Sequence, residues 1–466
     1  MFDRLRRWTT AFEHLLDRRL RRGGTSWRDV ISTRGAALWA GHGVKAATET
    51  LLGQVLACST LLIADADTFI AAEASGTFIR KDAGLASFDA SRCPLTRAEG
   101  DTWVRQRRAM TERVLPRAGL TGDGGVRAAT RVGHELCTRL AAEAPIVALD
   151  ALLEESVADW MVSVAVGNGD DCSAGGVARI RAAFLAYWRQ LRGRDVQDAE
   201  RARATKRAFD AELDGVCKDV WRSATTAGAA ADNGSARGVS LVRALVDACA
   251  GSAACRLTPE EVRPNLTNAC VAGFETTLTL VFWTLCALSA SDGALRTAVA
   301  ESTGCESTAV ECDALRAFKA AAASGAHVAA PEHLLARCLA ETLRVYPPVW
   351  YLARHASGAR VRVDILAINN GAAASWDPRR AAHSDAAAPL ASFGLGRRAC
   401  PAGGAGLVAA FVILRAVLGE FEVRECSQGR AVQSARLSPT LTLAGPQLFQ
   451  IQRRAAKVAT AEKVGT

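Results

Sequence analysis

The sequence predicts a mainly α protein built around one long apolar helix. Three observations carry this. An apolar period of 3.6 residues runs through most of the 466 residues, with Ala, Leu, Arg and Val filling the segments between a few clusters of turn residues. Thr258, Pro259 and Glu261 stand as N-cap, first helical residue and third residue after the cap, which is the capping-box pattern, ahead of an apolar run from Leu266 to Ala290. A further helical pattern, from about Pro331 to Val345, stops where Pro347 and Pro348 forbid continuation.

In chain order, mixed structure extends to about residue 100. Helical patterns then cover 101 to 116, 126 to 143, 148 to 166, 177 to 192 and 196 to 222, and Ser223 to Gly238 reads as a Gly/Ala/Ser/Asn-rich surface loop. The Leu266–Ala290 run is long enough to suggest a membrane span. Glu275 beside two threonines marks a site instead, and Pro264 argues against a simple span, so the helix is expected through the middle of a large globule. Val361 to Ile365 is β-like, an irregular stretch holds Pro378 and Pro389, and a Gly-rich turn opens an apolar helix from about Gly403 to Phe421. A single domain over 30–455 is expected, with a tail at 456–466.

Composition narrows the classes. With 49% apolar and 23% charged residues the chain is neither disordered, collagenous nor low-complexity. A net charge of +9 allows a basic face for an acidic protein partner but lacks the dense Lys/Arg blocks that nucleic acid would favour, so no nucleic-acid partner is expected. The 14 cysteines are scattered, several in apolar helical segments (Cys270, Cys286, Cys338), and read as reduced thiols. No C-x-x-C or H-x-x-x-H spacing points to zinc. The first 22 residues carry seven arginines, which excludes a signal core or a span there and points to a soluble, cytoplasmic protein. Within segment 1–29, Leu5, Trp8, Phe12, Leu15, Leu16 and Leu20 fall near helical spacing, as a surface helix with a solvated Arg face or as one lying on a membrane or partner.

Four short patterns carry chemistry. Phe393-Gly394-Leu395-Gly396-Arg397-Arg398-Ala399-Cys400-Pro401-Ala402-Gly403 ends a glycine-rich loop in a cysteine just before an apolar helix. A thiolate there gains from the helix dipole and from nearby backbone N–H groups and can stay bound to a metal; a structural cysteine in a Gly turn is the alternative. Arg398 could pair with an anionic cofactor group. Glu341 and Arg344 share one helix face at i and i+3, a pairing worth only about 0.5 kcal/mol when exposed. Ala272-Gly273-Phe274-Glu275-Thr276-Thr277 places small residues, an acid and hydroxyls inside the long helix, where an unpartnered carboxylate is costly. A threonine bonded back to its own helix is the bland counterpart. Trp103 and Arg107, at i and i+4, offer an indole N–H and a guanidinium to one carboxylate.

Taken together these patterns resemble the cytochrome P-450 family, over about residues 30 to 455. Phe393, Gly396, Arg398 and Cys400 match its haem loop, F-x-x-G-x-R-x-C-x-G, with Ala402 where glycine is usual. The resemblance implies a large helical domain with a smaller β-rich region, and haem b between the long helix and the cysteine loop, with Cys400 as its iron ligand. It implies Trp103, Arg107, Arg354 and Arg398 near the propionates, with His355 as a substitute for Arg354, and Ala272 and Gly273 as room for O2. Glu275 becomes the proton-relay acid and Thr276 the hydroxyl that positions water. Glu341 and Arg344 would lock the core under the haem together with Arg380. Arg379 stands where an acid is common, and the 56 positions from Arg344 to Cys400 imply a trimmed loop.

The implied activity is that of a haem-thiolate monooxygenase hydroxylating or epoxidising a small apolar substrate. Oxidative coupling and desaturation share the oxidant and stay open; a non-catalytic haem protein would be expected to lack Cys400 or Thr276. Electrons from NAD(P)H would arrive through a separate ferredoxin, flavodoxin or reductase, because the chain ends at Thr466 without a flavin domain, and a basic surface including Arg397 suits an acidic carrier. Phe274, Trp350 and Tyr351 are read as an aromatic substrate pocket or, equally, as core. A monomer is expected. The Ala- and Arg-rich, Lys-poor composition looks like a GC-rich bacterial genome, where such enzymes tailor secondary metabolites.

Overall fold

The computed structural model describes residues 60–63, 68–69, 71–72, 80–81, 95–96, 98–167, 171–193, 199–226, 239–303, 333–356, 359–370, 375–379, 391–426, 435–437, 440–443 and 447–454. The segments 1–29 and 456–466 lie outside them.

Helix α1 (Gly100–Arg108) passes through a π-helical turn (Ala109–Val114) into a short α2 (Leu115–Ala118), which stops at Gly119 with φ 58°, backbone that suits glycine. The helix expected over 101 to 116 is therefore continuous but locally widened and underwound from Ala109, two residues after Arg107. Next come α3 (Asp123–Glu143), β3 (Ile146–Ala148), α4 (Leu149–Val166), α5 (Ala174–Gly193), α6 (Ala199–Thr226) and α7 (Leu241–Asp247). The loop expected from Ser223 is corrected: Ser223 and Thr225 donate back to Val220 and Trp221 carbonyls, so α6 runs on to Thr226.

Helix α8 (Pro259–Ser289) begins at the expected capping box, with Thr258 N donating to Glu261 Oε2 at 2.9 Å, and it accommodates Pro264 within its second turn. It is followed by α9 (Gly293–Thr303) and α10 (Leu334–Val345). β4 (Tyr351–Ala356) and β5 (Ala359–Asp364) form a hairpin, and Ile365 opens α11 (Ile365–Asn370) rather than ending the strand. Helix α12 (Gly403–Glu420) hands over at Phe421 to β6 (Phe421–Glu425); β7 (Ala435–Leu437), β8 (Leu441–Leu443) and β9 (Leu448–Arg453) complete the order.

Among the described residues, three small sheets flank the helices. With β1 (Thr60–Ile63) and β2 (Arg80–Lys81), the hairpin makes a sheet of order β1-β5-β4-β2, parallel only between β1 and β5. The others are β3-β9-β6 and β7-β8, both antiparallel.

The main core lies around α8, which packs on α4, α6, α7, α10 and α12. Leu266, Cys270, Phe274 and Val281 are wholly buried along it. Helices α8 and α12 are long and apolar enough to cross a membrane, but most of each apolar stretch is buried inside the protein, as for core helices.

The start of α8 is pinned to α1. Arg105 grips Glu261 with both terminal nitrogens (2.8 and 2.6 Å), and Gln106 Nε2 adds a third bond at 2.9 Å. Burial alone would push this carboxyl up, but Arg105, Gln106 and the Thr258 N–H outweigh it and hold it below its ordinary value. A depressed folded-state value means stability that is present above the ordinary glutamate value of 4.5 and is lost as pH falls below it. In urea melts the wild type is expected to lose more stability than Glu261→Gln on acidification below that value; equal losses would contradict the coupling.

Candidate functional site

Along the middle of α8 the buried surface is interrupted. Ala272 is exposed and Asn268, Ala269, Gly273, Glu275 and Thr276 are half-buried, while the turns on either side are buried. At spacings of three and four residues this is one face of the helix, an open stripe of small and polar residues in the centre of the core. Thr276 Oγ1 donates to Ala272 O at 2.7 Å. The bond back to the helix takes the hydroxyl proton and leaves the oxygen lone pairs to accept from the open side. Glu275 accepts a hydrogen bond from Thr440 Oγ1. Gly273 serves packing as well as space, because a Cβ there would stand 2.7 Å from Met161 Sδ on α4.

Phe274 and Trp350 are corrected from pocket to core. Phe274 points away from the stripe, wholly buried and edge-on to Phe184 (5.1 Å) and Trp188 (5.3 Å). Helical geometry dictates this, since 274 lies on the opposite face from 272 and 276. Trp350 is 4% exposed and packs edge-on against Tyr351 at 4.5 Å. Tyr351 itself is half-buried.

The cysteine loop is tightly folded. Gly394 and Gly396 have φ of 72° and 68°, and Cys400 N donates to Phe393 O at 2.7 Å. The ring of Phe393 lies against Gly403, where a Cβ would come within 2.9 Å of it. Ala402, where the family pattern has glycine, adopts φ −116° and ψ 21°, so its side chain causes no backbone strain. It caps α12 with its carbonyl, which accepts from Ala405 and Gly406 N–H groups.

Cys400 is exposed, whereas burial pushes the thiols of Cys137, Cys217, Cys270 and Cys338 up to about 12, which leaves them protonated. Gly406, six residues beyond Cys400, approaches Thr277 on α8: its Cβ position lies 3.4 Å from Thr277 Oγ1. Helix α12, which the cysteine loop opens, thus packs on α8 beside the residue that follows Thr276.

Cations gather beside the thiol. Arg107 Nη1 donates to Ala399 O at 2.6 Å; burial lowers its ordinary value, and the charge of Cys400 pulls it back. The Arg398 guanidinium lies 4.2 Å from the centre of the buried Trp103 ring and donates to Ala98 O at 3.0 Å, while Arg397 lies 5.4 Å from the same ring. Arg354, on β4, is 5% exposed, with Nη1 3.2 Å from Ala353 O. His355 is on β4 opposite Arg80 and Arg360.

Below the loop, Arg344 holds Glu341 through Nε (2.8 Å) and Nη2 (2.7 Å). Backbone groups also anchor the pair: Asp377 N donates to Glu341 Oε1 at 3.0 Å and Ser375 O accepts from Arg344 at 2.9 Å, while Trp376 Nε1 reaches Thr342 Oγ1 at 3.1 Å. Arg380 lies outside the described residues. Arg379 has its own partner, gripping Asp292 with both nitrogens (2.8 and 2.9 Å) and holding that carboxyl down at about 2.

An exposed thiol, arginines close to it in the chain and on α1, and a stripe of small residues with a hydroxyl and an acid on the neighbouring α8 together fit haem in kind: one soft ligand, counter-charges for propionates and small side chains that leave space. Sequence reasoning missed Arg105, Met161 and Thr440. Glu261 was legible only as a cap, and nothing near Thr440 in the chain points to Glu275.

No family model and no curated protein matches this sequence. Solved structures do. A cyanobacterial P450, CYP120A1, bound to retinoic acid superposes with a TM-score of 0.64 at 15% identity, covering 84% of this chain and 89% of that one. A zebrafish cytochrome P450 with progesterone gives 0.65 at 18% identity over 85% and 94% of the two chains. The haem domain of cytochrome P450DA gives 0.62 at 16%, over 83% and 85%. The chain has the cytochrome P450 fold.

Proposed function

We propose that the chain is a haem-thiolate monooxygenase of the cytochrome P450 family, with Cys400 as the iron ligand. The observation that carries this is the exposed Cys400 in a glycine-shaped loop that opens α12, the helix packed on α8, which bears the open Ala272–Thr276 stripe. When bound, haem supplies O2 activation and oxygen transfer to the substrate. The protein supplies the rest. Cys400 donates electron density from the loop side, Arg107, Arg354 and Arg398 with Trp103 balance the propionates, and Ala272 and Gly273 leave space. Glu275 relays protons through its carboxyl group, and Thr276, its own proton committed to Ala272 O, accepts from water on the open side.

The substrate is a small apolar molecule, oriented over the stripe, and the reaction is hydroxylation or epoxidation in bacterial secondary metabolism. Electrons come from NAD(P)H through a separate ferredoxin, flavodoxin or reductase docking near the exposed Arg397, and the enzyme works as a cytoplasmic monomer.

Thr276→Ala tests the relay. Product formed per reducing equivalent is expected to fall by about tenfold or more, with hydrogen peroxide released instead; unchanged coupling would show that Thr276 does not position water.

A further inference from the structure

We infer that Thr440 is a positioning residue for Glu275, which rests on the assignment of Glu275 as the relay acid. Thr440 is 165 residues from Glu275 in sequence and 4% exposed, and its hydroxyl donates to Glu275 Oε1. A threonine hydroxyl has a single proton, so this bond commits it to the carboxylate.

The backbone that carries Thr440 is fixed from three sides. Leu441 N donates to Pro348 O at 2.9 Å. Leu441 O accepts from the indole of Trp283, on α8, at 3.2 Å, and that indole is stacked on Tyr346 at 5.1 Å. Leu441 also opens β8, in register with Leu437 of β7. Helix α8 thus grips the β7-β8 turn twice, through Trp283 and Glu275, two turns apart on neighbouring faces.

A glutamate on a helix has three rotatable bonds and can reach several directions. A donor on rigid backbone selects one of them, as a proton-transferring group requires, because transfer depends on holding the acid within hydrogen-bond reach. Thr440 therefore acts through Glu275 and does not itself touch the reacting atoms.

The test compares Thr440→Val, which keeps the shape and removes the hydroxyl, with Thr440→Ser, which keeps the hydroxyl. Two signals are read: the infrared carboxylate stretch of Glu275, identified as the band lost in Glu275→Gln, and product formed per reducing equivalent. Thr440→Val is expected to shift the band and lower product yield severalfold, with substrate binding retained, and Thr440→Ser to restore both. If Thr440→Val does not fold, Thr440→Ala makes the same comparison. A band left at the wild-type position in the hydroxyl-free variant, or a shifted band with unchanged yield, overturns the assignment. The infrared signal does not depend on haem, so a wild type without thiolate-ligated haem would refute the monooxygenase while the band still decides whether Thr440 holds Glu275.

Discussion

Replacing Cys400 by serine is expected to abolish oxygenation while leaving the fold intact. The loop does not depend on the sulfur: its shape comes from Gly394 and Gly396 at positive φ, the Cys400 N to Phe393 O bond and the packing of Phe393 on Gly403. Serine keeps the backbone bond and shortens the side chain. What is lost is a soft anionic ligand, since a serine hydroxyl stays protonated at neutral pH and gives up the electron donation that favours O–O cleavage. The melting curve should match wild type, product formation should fall to background, and the spectrum should lose its thiolate signature. Retained activity with an unchanged spectrum would remove Cys400 from the site.

Glu341→Ala is expected to give the largest loss of stability. Among the described residues Glu341 accepts two hydrogen bonds from Arg344 and one from the Asp377 N–H, and only 8% of its side chain is exposed. Truncation leaves a largely buried guanidinium with Ser375 O in place of its carboxylate and detaches the irregular segment from α10. Breaking such a pair costs about 3 to 5 kcal/mol, and haem retention should fall with it. Arg344→Lys should also be damaging, because an ammonium cannot reproduce the two-pronged grip. A urea midpoint within the error of wild type would show that the pair is dispensable.

The long helix was legible in the sequence because its signals are local: a capping box at Thr258 and an uninterrupted apolar run. The cysteine loop was legible because glycine positions and the thiol lie within eleven residues. Phe274 stayed undecided between pocket and core because adjacency in a motif says nothing about which side of a helix a residue faces. Ser223–Thr226 was misread as loop because composition outweighed back-bonded hydroxyls. The partners of Glu261, Glu275 and Arg379, namely Arg105, Thr440 and Asp292, are tertiary, and no spacing rule reaches them. Ala402 departs from the family's glycine in sequence, and its backbone angles are open to any residue.

The central claim, haem ligated by the Cys400 thiolate, is tested most directly by the visible spectrum of the purified protein reduced with dithionite and exposed to carbon monoxide. A strongly red-shifted Soret band is the expected result. A Soret band at the ordinary position, or none at all, would contradict it.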